Sequence, residues 1–139
     1  MYHIIMAGGS GSRFWPLSNK KKPKQFLKII EDVSLITSTY NRLLEISSKK
    51  NIFIISSKKY LNEINKNIKD INQNNIIIEP SPKNTAPAIY LAANEIFKID
   101  NNAIMAIYPS DHFINNKKEF SKAIKLANNF IKENNNAII

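Results

Sequence analysis

All three glycines of the chain lie near its amino terminus, directly after a short apolar segment. Gly8, Gly9 and Gly11 follow a run of residues that predicts a buried strand. Glycine tolerates positive φ angles and lets bare backbone N–H groups approach a bulky anion. Arg13 and Lys24 come next, and they carry the two cationic groups best suited to phosphate oxygens. This spacing predicts a cradle for a polyphosphate substrate.

Two common phosphate loops are excluded by the residues that follow the glycines. A P-loop requires Lys and then Ser or Thr directly after its last glycine, whereas this chain has Ser12-Arg13. A dinucleotide-binding fingerprint requires a third glycine at the position of Phe14. The lysines at 20–22 border the loop. They are either simply solvated or raise the local concentration of an anionic substrate. The structural alternative for the whole stretch is a glycine-rich turn with a basic rim.

Two later segments also place polar or rigid groups where a predicted strand ends. Residues 79–89 combine prolines and small residues at the start of a helix, which would offer a flat, rigid surface to a purine. Asp111 follows the last strand, and a hard carboxylate oxygen there could hold Mg²⁺ that also bridges phosphate oxygens. The alternatives are a proline-stiffened helix start and a solvated loop aspartate or helix cap. His112 is interpreted as structural, and His3 is given no role.

Composition bounds the class of protein. A length of 139 residues with 43% apolar content is enough for one compact domain with a core. The chain has no cysteine, no apolar run long enough for a membrane span and no signal peptide pattern, so we predict a soluble, cytoplasmic protein. The net charge of +9 would suggest a nucleic-acid partner, but it comes almost entirely from scattered lysines. We therefore expect no nucleic acid and no membrane as partners.

Strand and helix patterns alternate along the chain. Strands are predicted at 2–7, 51–55, 76–79 and 103–108, with a short extended piece at 26–30 and the start of another strand at 137–139. Helices are predicted to begin at Ser34, at a cap on Ser57, at a cap on Thr85 and at Asn116. The second helix has an apolar face of Leu61, Ile64, Ile68 and Ile71, and the third has one of Ile89, Ala92, Ala93, Ile96 and Phe97. This alternation predicts an α/β fold with a doubly wound, mostly parallel, Rossmann-like sheet, which binds ligands at the carboxyl ends of its strands.

In combination, these segments resemble one family. The residues from Ala7 to Ser18, followed by Pro23-Lys24-Gln25-Phe26, resemble the signature of the sugar-nucleotide pyrophosphorylases, and within them that of the mannose-1-phosphate guanylyltransferases. The segments Asn84-Thr85-Ala86-Pro87-Ala88 and Pro109-Ser110-Asp111-His112 are similar to two further patterns of these enzymes. The implied reaction is GTP + α-D-mannose 1-phosphate → GDP-mannose + pyrophosphate, with Mg²⁺ as the cofactor.

The resemblance also implies roles for individual residues. Arg13 and Lys24 would be the catalytic groups, which neutralise charge at the phosphates, and Asp111 would be the metal ligand. Asn84, Thr85, Ala86 and Pro87 would contact guanine and ribose. The triphosphate would be held by Ala7, Gly8, Gly9, Ser10, Gly11, Ser12, Arg13 and Lys24.

Two departures from the family pattern leave alternatives open. Lys83 stands where the family usually has arginine, which would weaken a bidentate contact there. Family members continue well beyond this length, so residues 1–139 are expected to be the nucleotide-binding part of a nucleotidyltransferase domain that is truncated at its carboxyl end. The alternatives are a catalytically incomplete GTP-binding fragment, a partner subunit or homo-oligomer, and a pyrophosphorylase for another nucleotide and sugar. A basic nucleic-acid-binding module is a weaker interpretation.

Overall fold

The chain forms a four-stranded parallel sheet with helices on both faces. This description rests on a computed structural model and covers residues 1–9, 15–19, 23–81 and 83–134. The strands are β1 (Tyr2–Met6), β2 (Ile52–Ser57), β3 (Ile76–Glu79) and β4 (Met105–Pro109), in the order β3-β2-β1-β4. Every described strand pair is parallel. The predicted doubly wound α/β class is confirmed. The expected strand at 137–139 lies outside the described residues.

Four helices cover the two faces of this sheet. They are α1 (Leu35–Leu44), α2 (Leu61–Asn67), α3 (Thr85–Ile99) and α4 (Lys117–Glu133). One core cluster joins α1 and α2 to the sheet, with Phe120 and Ile124 of α4 packed against its edge. The other cluster joins Ala88, Ala92 and Ile96 of α3 to the opposite face. No helix in the described ranges is long and apolar enough to cross a membrane.

Strict alternation along the central strands explains these two cores. In β1, Ile5 belongs to the cluster beneath α1, whereas its neighbour Ile4 belongs to the cluster beneath α3. In β2, Ile54 and Ile55 divide between the faces in the same way. Successive side chains of a strand point to opposite faces, and both faces of a parallel sheet are covered by helices. Central strands of this kind therefore contain consecutive apolar residues.

The strand order locates the place where ligands are expected. The chain moves outward from β1 to β2 and β3, and then returns to form β4 on the other side of β1. The order therefore reverses between β1 and β4, and open parallel sheets bind ligands outside the carboxyl ends of the strands near such a point. The segments that begin at Ala7, Ser57, Glu79 and Ser110 all leave the sheet at that edge.

Two predictions about the second helix were wrong, namely the cap at its start and the position of its end. Ser57 makes no side-chain cap, since a 3₁₀ turn at Lys58–Tyr60 precedes α2. Helix α2 ends at Asn67, whose side-chain amide donates to the carbonyl of Glu63 at 2.8 Å and competes with continued helix. Ile68 and Ile71 are nevertheless buried in the core, as expected from their apolar character.

The start and face of α3 also differ from the prediction. Thr85 is the first helical residue, and Asn84 occupies the cap position without a side-chain cap. The buried face is formed by Ala88, Ala92 and Ile96, whereas Phe97 is 64% exposed.

Residues 26–30 are not a strand. A 3₁₀ turn at Lys24–Phe26 leads into bends there, because this stretch connects the glycine segment to α1 across the end of the sheet.

His3 forms a buried contact that the sequence did not reveal. Its Nδ1 lies 2.9 Å from the hydroxyl of Tyr108 on the neighbouring strand, and the two rings stack with centroids 5.7 Å apart. Burial disfavours the charged imidazolium and lowers the pKa of His3 from 6.5 to about 4. The folded chain therefore holds a neutral imidazole at a pH where the unfolded chain is already protonated.

This pKa predicts acid sensitivity of folding. The contribution of His3 to stability is complete above about pH 6.5 and is lost as the pH falls toward 4, because only the unfolded chain binds the proton in that window. We expect the free energy of unfolding to fall by roughly 2 to 3 kcal/mol from this group between pH 7 and 4.5. Urea unfolding at both pH values should show the drop in the unaltered chain and a drop smaller by that amount in His3→Gln. An equal drop in both would contradict the assignment.

Candidate nucleotide-binding site

The glycine segment leaves β1 at the centre of the carboxyl edge. Ala7 is buried, and its N–H donates to the carbonyl of Ile55 at 2.8 Å, so the strand pairing continues one residue beyond β1. Gly8 and Gly9 follow at the surface of the sheet edge. The predicted phosphate-binding residues Ser10, Gly11, Ser12 and Arg13 lie outside the described residues. Their roles stay predictions.

A buried glutamine fixes the described part of this segment. Gln25 is 1% exposed, and its Nε2 donates to the carbonyl of Ala7 at 2.9 Å and to that of Gly9 at 3.3 Å. The hydroxyl of Ser56 also donates to the Ala7 carbonyl at 2.9 Å. The Pro23-Lys24-Gln25-Phe26 motif is thus joined to the glycine segment by hydrogen bonds, although sequence reasoning gave Gln25 no role. Its position within that motif was the one indication in the sequence that Gln25 belongs to the site.

Gln25→Leu should destabilise the chain because a buried side-chain amide loses its hydrogen bonds to the carbonyls of Ala7 and Gly9, although the Ala7 carbonyl keeps the hydroxyl of Ser56. An intramolecular hydrogen bond contributes about 0.5 to 1.5 kcal/mol to stability, so the loss of two should lower the free energy of unfolding by about 1 to 3 kcal/mol. Urea titration at neutral pH measures it. Gln73→Leu is the matched control, since Gln73 is exposed and donates only to the side chain of Asn65. The control should change stability by less than about 0.5 kcal/mol. Equal stability of the two variants would contradict the role of Gln25.

A cleft of about 380 Å³ lies beside the glycine segment. Its walls come from the ends of the three strands β1, β2 and β3 and from the start of α3. The lining residues are Met6, Gly8, Gly9, Ile55, Ser57, Lys59, Glu79, Asn84, Thr85 and Ala88. Its size lies in the range of small-molecule sites, and its position at a parallel sheet's carboxyl edge is typical of them.

Glu79 is a feature of this cleft that sequence reasoning missed as a site residue. It ends β3 and faces Gly8 so closely that a Cβ atom at position 8 would overlap its carboxylate. Neither Gly8 nor Gly9 has a φ angle in the left-handed region, so Gly8 is required here for space rather than for backbone freedom. Burial raises the pKa of the Glu79 carboxyl above its ordinary value, because desolvation disfavours its charged form. A partly desolvated carboxylate in a cleft is suited to accept hydrogen bonds from a ligand.

The start of α3 forms the other wall. Asn84 has φ 69° and ψ −170°, a backbone region that non-glycine residues rarely adopt and that concentrates at functional sites. Asn84 and Thr85, which were predicted to contact guanine and ribose, line the cleft. Ala86 and Pro87 are exposed and do not line it. Pro87 instead borders a neighbouring depression of about 140 Å³ together with Pro80 and Lys83.

Lys24 and Asp111 form an ion pair on the other side of the glycine segment. Lys24 begins the 3₁₀ turn that contains Gln25, and Asp111 follows β4, so the ends of β1 and β4 bring them together. Both side chains are largely buried, at 21% and 16% exposure. A charge-assisted contact with this little solvent is stronger than the exposed lysine pairs elsewhere on the described surface. The two residues predicted for catalysis and for metal binding are therefore direct neighbours.

The donor set at Asp111 fits a magnesium ion that arrives with a nucleotide. Among the described residues, no group of three or more His, Cys, Asp or Glu side chains is arranged to hold a metal. Mg²⁺ in nucleotide enzymes is commonly bound by one or two carboxylates together with substrate phosphates and water. Asp111 supplies one such carboxylate at the sheet edge.

Comparisons with known proteins agree with this arrangement. The family model described as nucleotidyl transferase matches residues 2–139. A mannose-1-phosphate guanylyltransferase of Escherichia coli is 37% identical over 137 residues, and one of Klebsiella pneumoniae is 38% identical over 134. The solved structure of a Thermus thermophilus protein, described as a mannose-1-phosphate geranyltransferase, aligns with a TM-score of 0.82 at 26% identity.

The matches cover nearly all of this chain but a minor part of each relative. The alignment with the Escherichia coli protein covers 95% of this chain and 29% of the relative, and that with the Klebsiella protein covers 94% and 28%. The structural alignment covers 95% of this chain and 38% of the Thermus chain. The 139 residues therefore span less than a third of the length of these curated relatives.

Proposed function

Because this chain belongs to the nucleotidyl transferase family, we propose that it supplies the nucleotide-binding part of a mannose-1-phosphate guanylyltransferase. The observation that carries the proposal is the arrangement around Gly8. A cleft with a carboxylate lies on one side of the glycine segment, and the Lys24–Asp111 pair lies on the other. A base and a triphosphate joined through ribose require two such adjacent sites.

The chemistry of the cleft favours guanine over adenine. The Watson–Crick edge of guanine presents two neighbouring donors, the ring N1–H and the exocyclic amino group, and a carboxylate can accept both. Adenine presents an acceptor at its N1, which would face the Glu79 carboxylate without a hydrogen bond. A site with buried polar groups rejects a ligand that leaves them unpaired. Asn84 and Thr85 provide further polar atoms in the lining of the same cleft.

The phosphates would then extend along the glycine segment toward Lys24. Backbone N–H groups from Gly8 to Ser12 and the side chain of Arg13 would hold the triphosphate, as the motif predicts. Lys24 would neutralise charge that grows at the α-phosphate. Asp111 would hold Mg²⁺, which supplies positive charge shared between protein and phosphate oxygens.

The proposed reaction is an in-line attack of the sugar phosphate oxygen on the α-phosphorus of GTP, with pyrophosphate as the leaving group. The attacking phosphate is already an anion, so no side chain has to remove a proton from it. The protein's contribution is positioning and charge neutralisation. This assigns Lys24 and Arg13 to electrostatic stabilisation and leaves His112 without a catalytic task. Because GTP and sugar phosphates are metabolites of the cytoplasm, the reaction is proposed to occur there.

The fraction of each relative that is matched favours a second candidate, in which these 139 residues bind GTP without turnover. A two-substrate reaction depends on holding both reactants together, which is worth roughly 7 to 11 kcal/mol when complete. This chain aligns with only 29% of the Escherichia coli relative. We therefore expect the 139 residues by themselves to bind GTP and to turn over mannose 1-phosphate well below about 1 s⁻¹, the lower end of ordinary enzymatic rates.

A graft tests whether residues 1–139 support catalysis once the remaining length of a relative is supplied. Residues 1–139 would replace the aligned segment of the Escherichia coli relative, and pyrophosphate release would be assayed with GTP, Mg²⁺ and mannose 1-phosphate. The proposal predicts release with GTP and mannose 1-phosphate and little release with ATP or without the sugar phosphate. The unaltered relative is the positive control. A folded graft that binds GTP without releasing pyrophosphate would favour the binding candidate over catalysis.

A further inference from the structure

Arg42 is a buried cation in α1, and the carboxylates of Glu31 and Glu45 act on it only from beyond ion-pair distance. Its side chain is 3% exposed, and none of the ion pairs among the described residues includes it. Removing a guanidinium from water is costly unless its donors find partners. The polar contacts of Arg42 therefore indicate which part of the structure it stabilises.

Those contacts lead to the loop that carries Asp111. The Nη2 of Arg42 donates to the carbonyl of His112 at 3.3 Å and to the hydroxyl of Thr39 at 3.2 Å. Thr39 is fully buried, and its hydroxyl donates to the carbonyl of Ser110 at 3.4 Å. Ser110 and His112 are the two residues that flank Asp111 in the chain.

The contacts thus hold the backbone on both sides of one carboxylate. Arg42 and Thr39 lie three residues apart, on the same face of α1, and together they reach both flanking carbonyls. The guanidinium also lies 5.3 Å from the ring centroid of Phe120, which joins it to the start of α4. Between these two carbonyls, the side chain of Asp111 contacts Lys24.

We propose that Arg42 and Thr39 form a positioning pair that holds Asp111 in place for the divalent ion of the bound nucleotide. The proposal rests on the function proposed above, in which Asp111 faces the nucleotide phosphates. Arg42 acts through Asp111 and touches neither substrate nor metal. Groups that orient a metal-ligating carboxylate commonly change metal affinity by about 10- to 100-fold when removed.

The test compares GTP affinity in Mn²⁺ with GTP affinity in a chelator, measured by calorimetry on the full chain. The ratio of the two affinities isolates the metal-dependent part of binding. Arg42→Met removes the donors and retains an apolar side chain of similar length over Phe120. We expect it to lower the ratio by about tenfold, to leave the affinity in chelator within about twofold, and to be partly rescued in Arg42→Lys.

A double-mutant cycle shows whether the effect passes through Asp111. In an Asp111→Asn background the carboxylate is already lost, so Arg42→Met should lower the ratio by less than about twofold further. Tyr40→Phe is the matched control, because Tyr40 is buried on the same helix and its hydroxyl has no hydrogen-bond partner in the described structure. An equal loss from Arg42→Met in both backgrounds, or an equal loss in chelator, would overturn the positioning role.

Amide hydrogen exchange tests the positioning role of Arg42 and Thr39 without requiring that the chain binds GTP. If the unaltered chain binds no GTP under either condition, the proposed function fails. The exchange rates of the Asp111 and His112 amides then show whether Arg42 and Thr39 hold this segment in place. Faster exchange in Arg42→Met and in the milder Thr39→Val, with none in Tyr40→Phe, supports it. Exchange rates equal to those of the unaltered chain in both variants overturn it, and Thr39→Val provides this reading if Arg42→Met does not fold.

Discussion

Glu79→Gln is expected to weaken GTP binding by about a hundredfold. A glutamine side chain offers one acceptor oxygen and one amide donor, so it cannot accept both hydrogens of the guanine edge. One charge-assisted hydrogen bond is worth about 1.5 to 3 kcal/mol, and the amide group additionally faces a donor of the base. The substitution keeps the size of the side chain, so stability should change little.

Calorimetric titration with GTP, ITP and ATP measures this effect. ITP lacks the exocyclic amino group, so the unaltered chain should bind it about tenfold more weakly than GTP. In Glu79→Gln the difference between GTP and ITP should largely disappear. Glu95→Gln is the matched control, since Glu95 lies on α3, pairs with Lys98 at the surface and does not line the cleft. Unchanged GTP affinity in Glu79→Gln would exclude the carboxylate from base recognition.

Gly8→Ala should have the second largest effect, again on binding and not on folding. The added methyl group would overlap the Glu79 carboxylate. That carboxylate is the end of a flexible side chain, which can rotate away at small cost. The free energy of unfolding should therefore change by less than about 1 kcal/mol, whereas GTP affinity should fall by at least about tenfold because the acceptor is displaced.

The two substitutions should not be additive, since both remove the same acceptor from the cleft. Gly8→Ala combined with Glu79→Gln is expected to bind GTP only slightly more weakly than Glu79→Gln alone. Titrations of the two single variants and the double variant give the coupling, and urea unfolding shows that each is folded. Fully additive losses would mean that Gly8 acts on the ligand independently of Glu79.

The architecture was predictable because apolar strand segments alternate along the chain with helix segments that have one apolar face. Each of the four strands was expected within about two residues of where it lies, since buried parallel strands are runs of largely apolar residues. The local errors occurred where a side chain competes with the backbone. Asn67 ends α2 while the apolar spacing continues to Ile71. Asn84 replaces Thr85 at the cap because of its positive φ angle, which no apolar pattern encodes.

The site was predictable only in part, because its key contacts join distant segments. The types of Lys24 and Asp111 indicated phosphate and metal chemistry, but their pairing depends on β4 lying next to β1. Glu79 begins the segment 79–89 that was singled out for its prolines and small residues, but only its proximity to Gly8 identified its carboxylate as part of a cleft. Arg42 read as one polar residue of an amphipathic helix. Its burial depends on the loop after β4, which is about 70 residues away in the chain.

The central claim is that the carboxyl edge of this sheet binds GTP through a guanine-selective cleft. Calorimetric titration of the 139-residue chain with GTP and with ATP, each in Mg²⁺, tests it most directly. The expected result is saturable 1:1 binding of GTP, with ATP at least about tenfold weaker because its base leaves Glu79 unpaired. Equal affinities for GTP and ATP, or no binding of GTP by a chain shown to be folded, would contradict the claim.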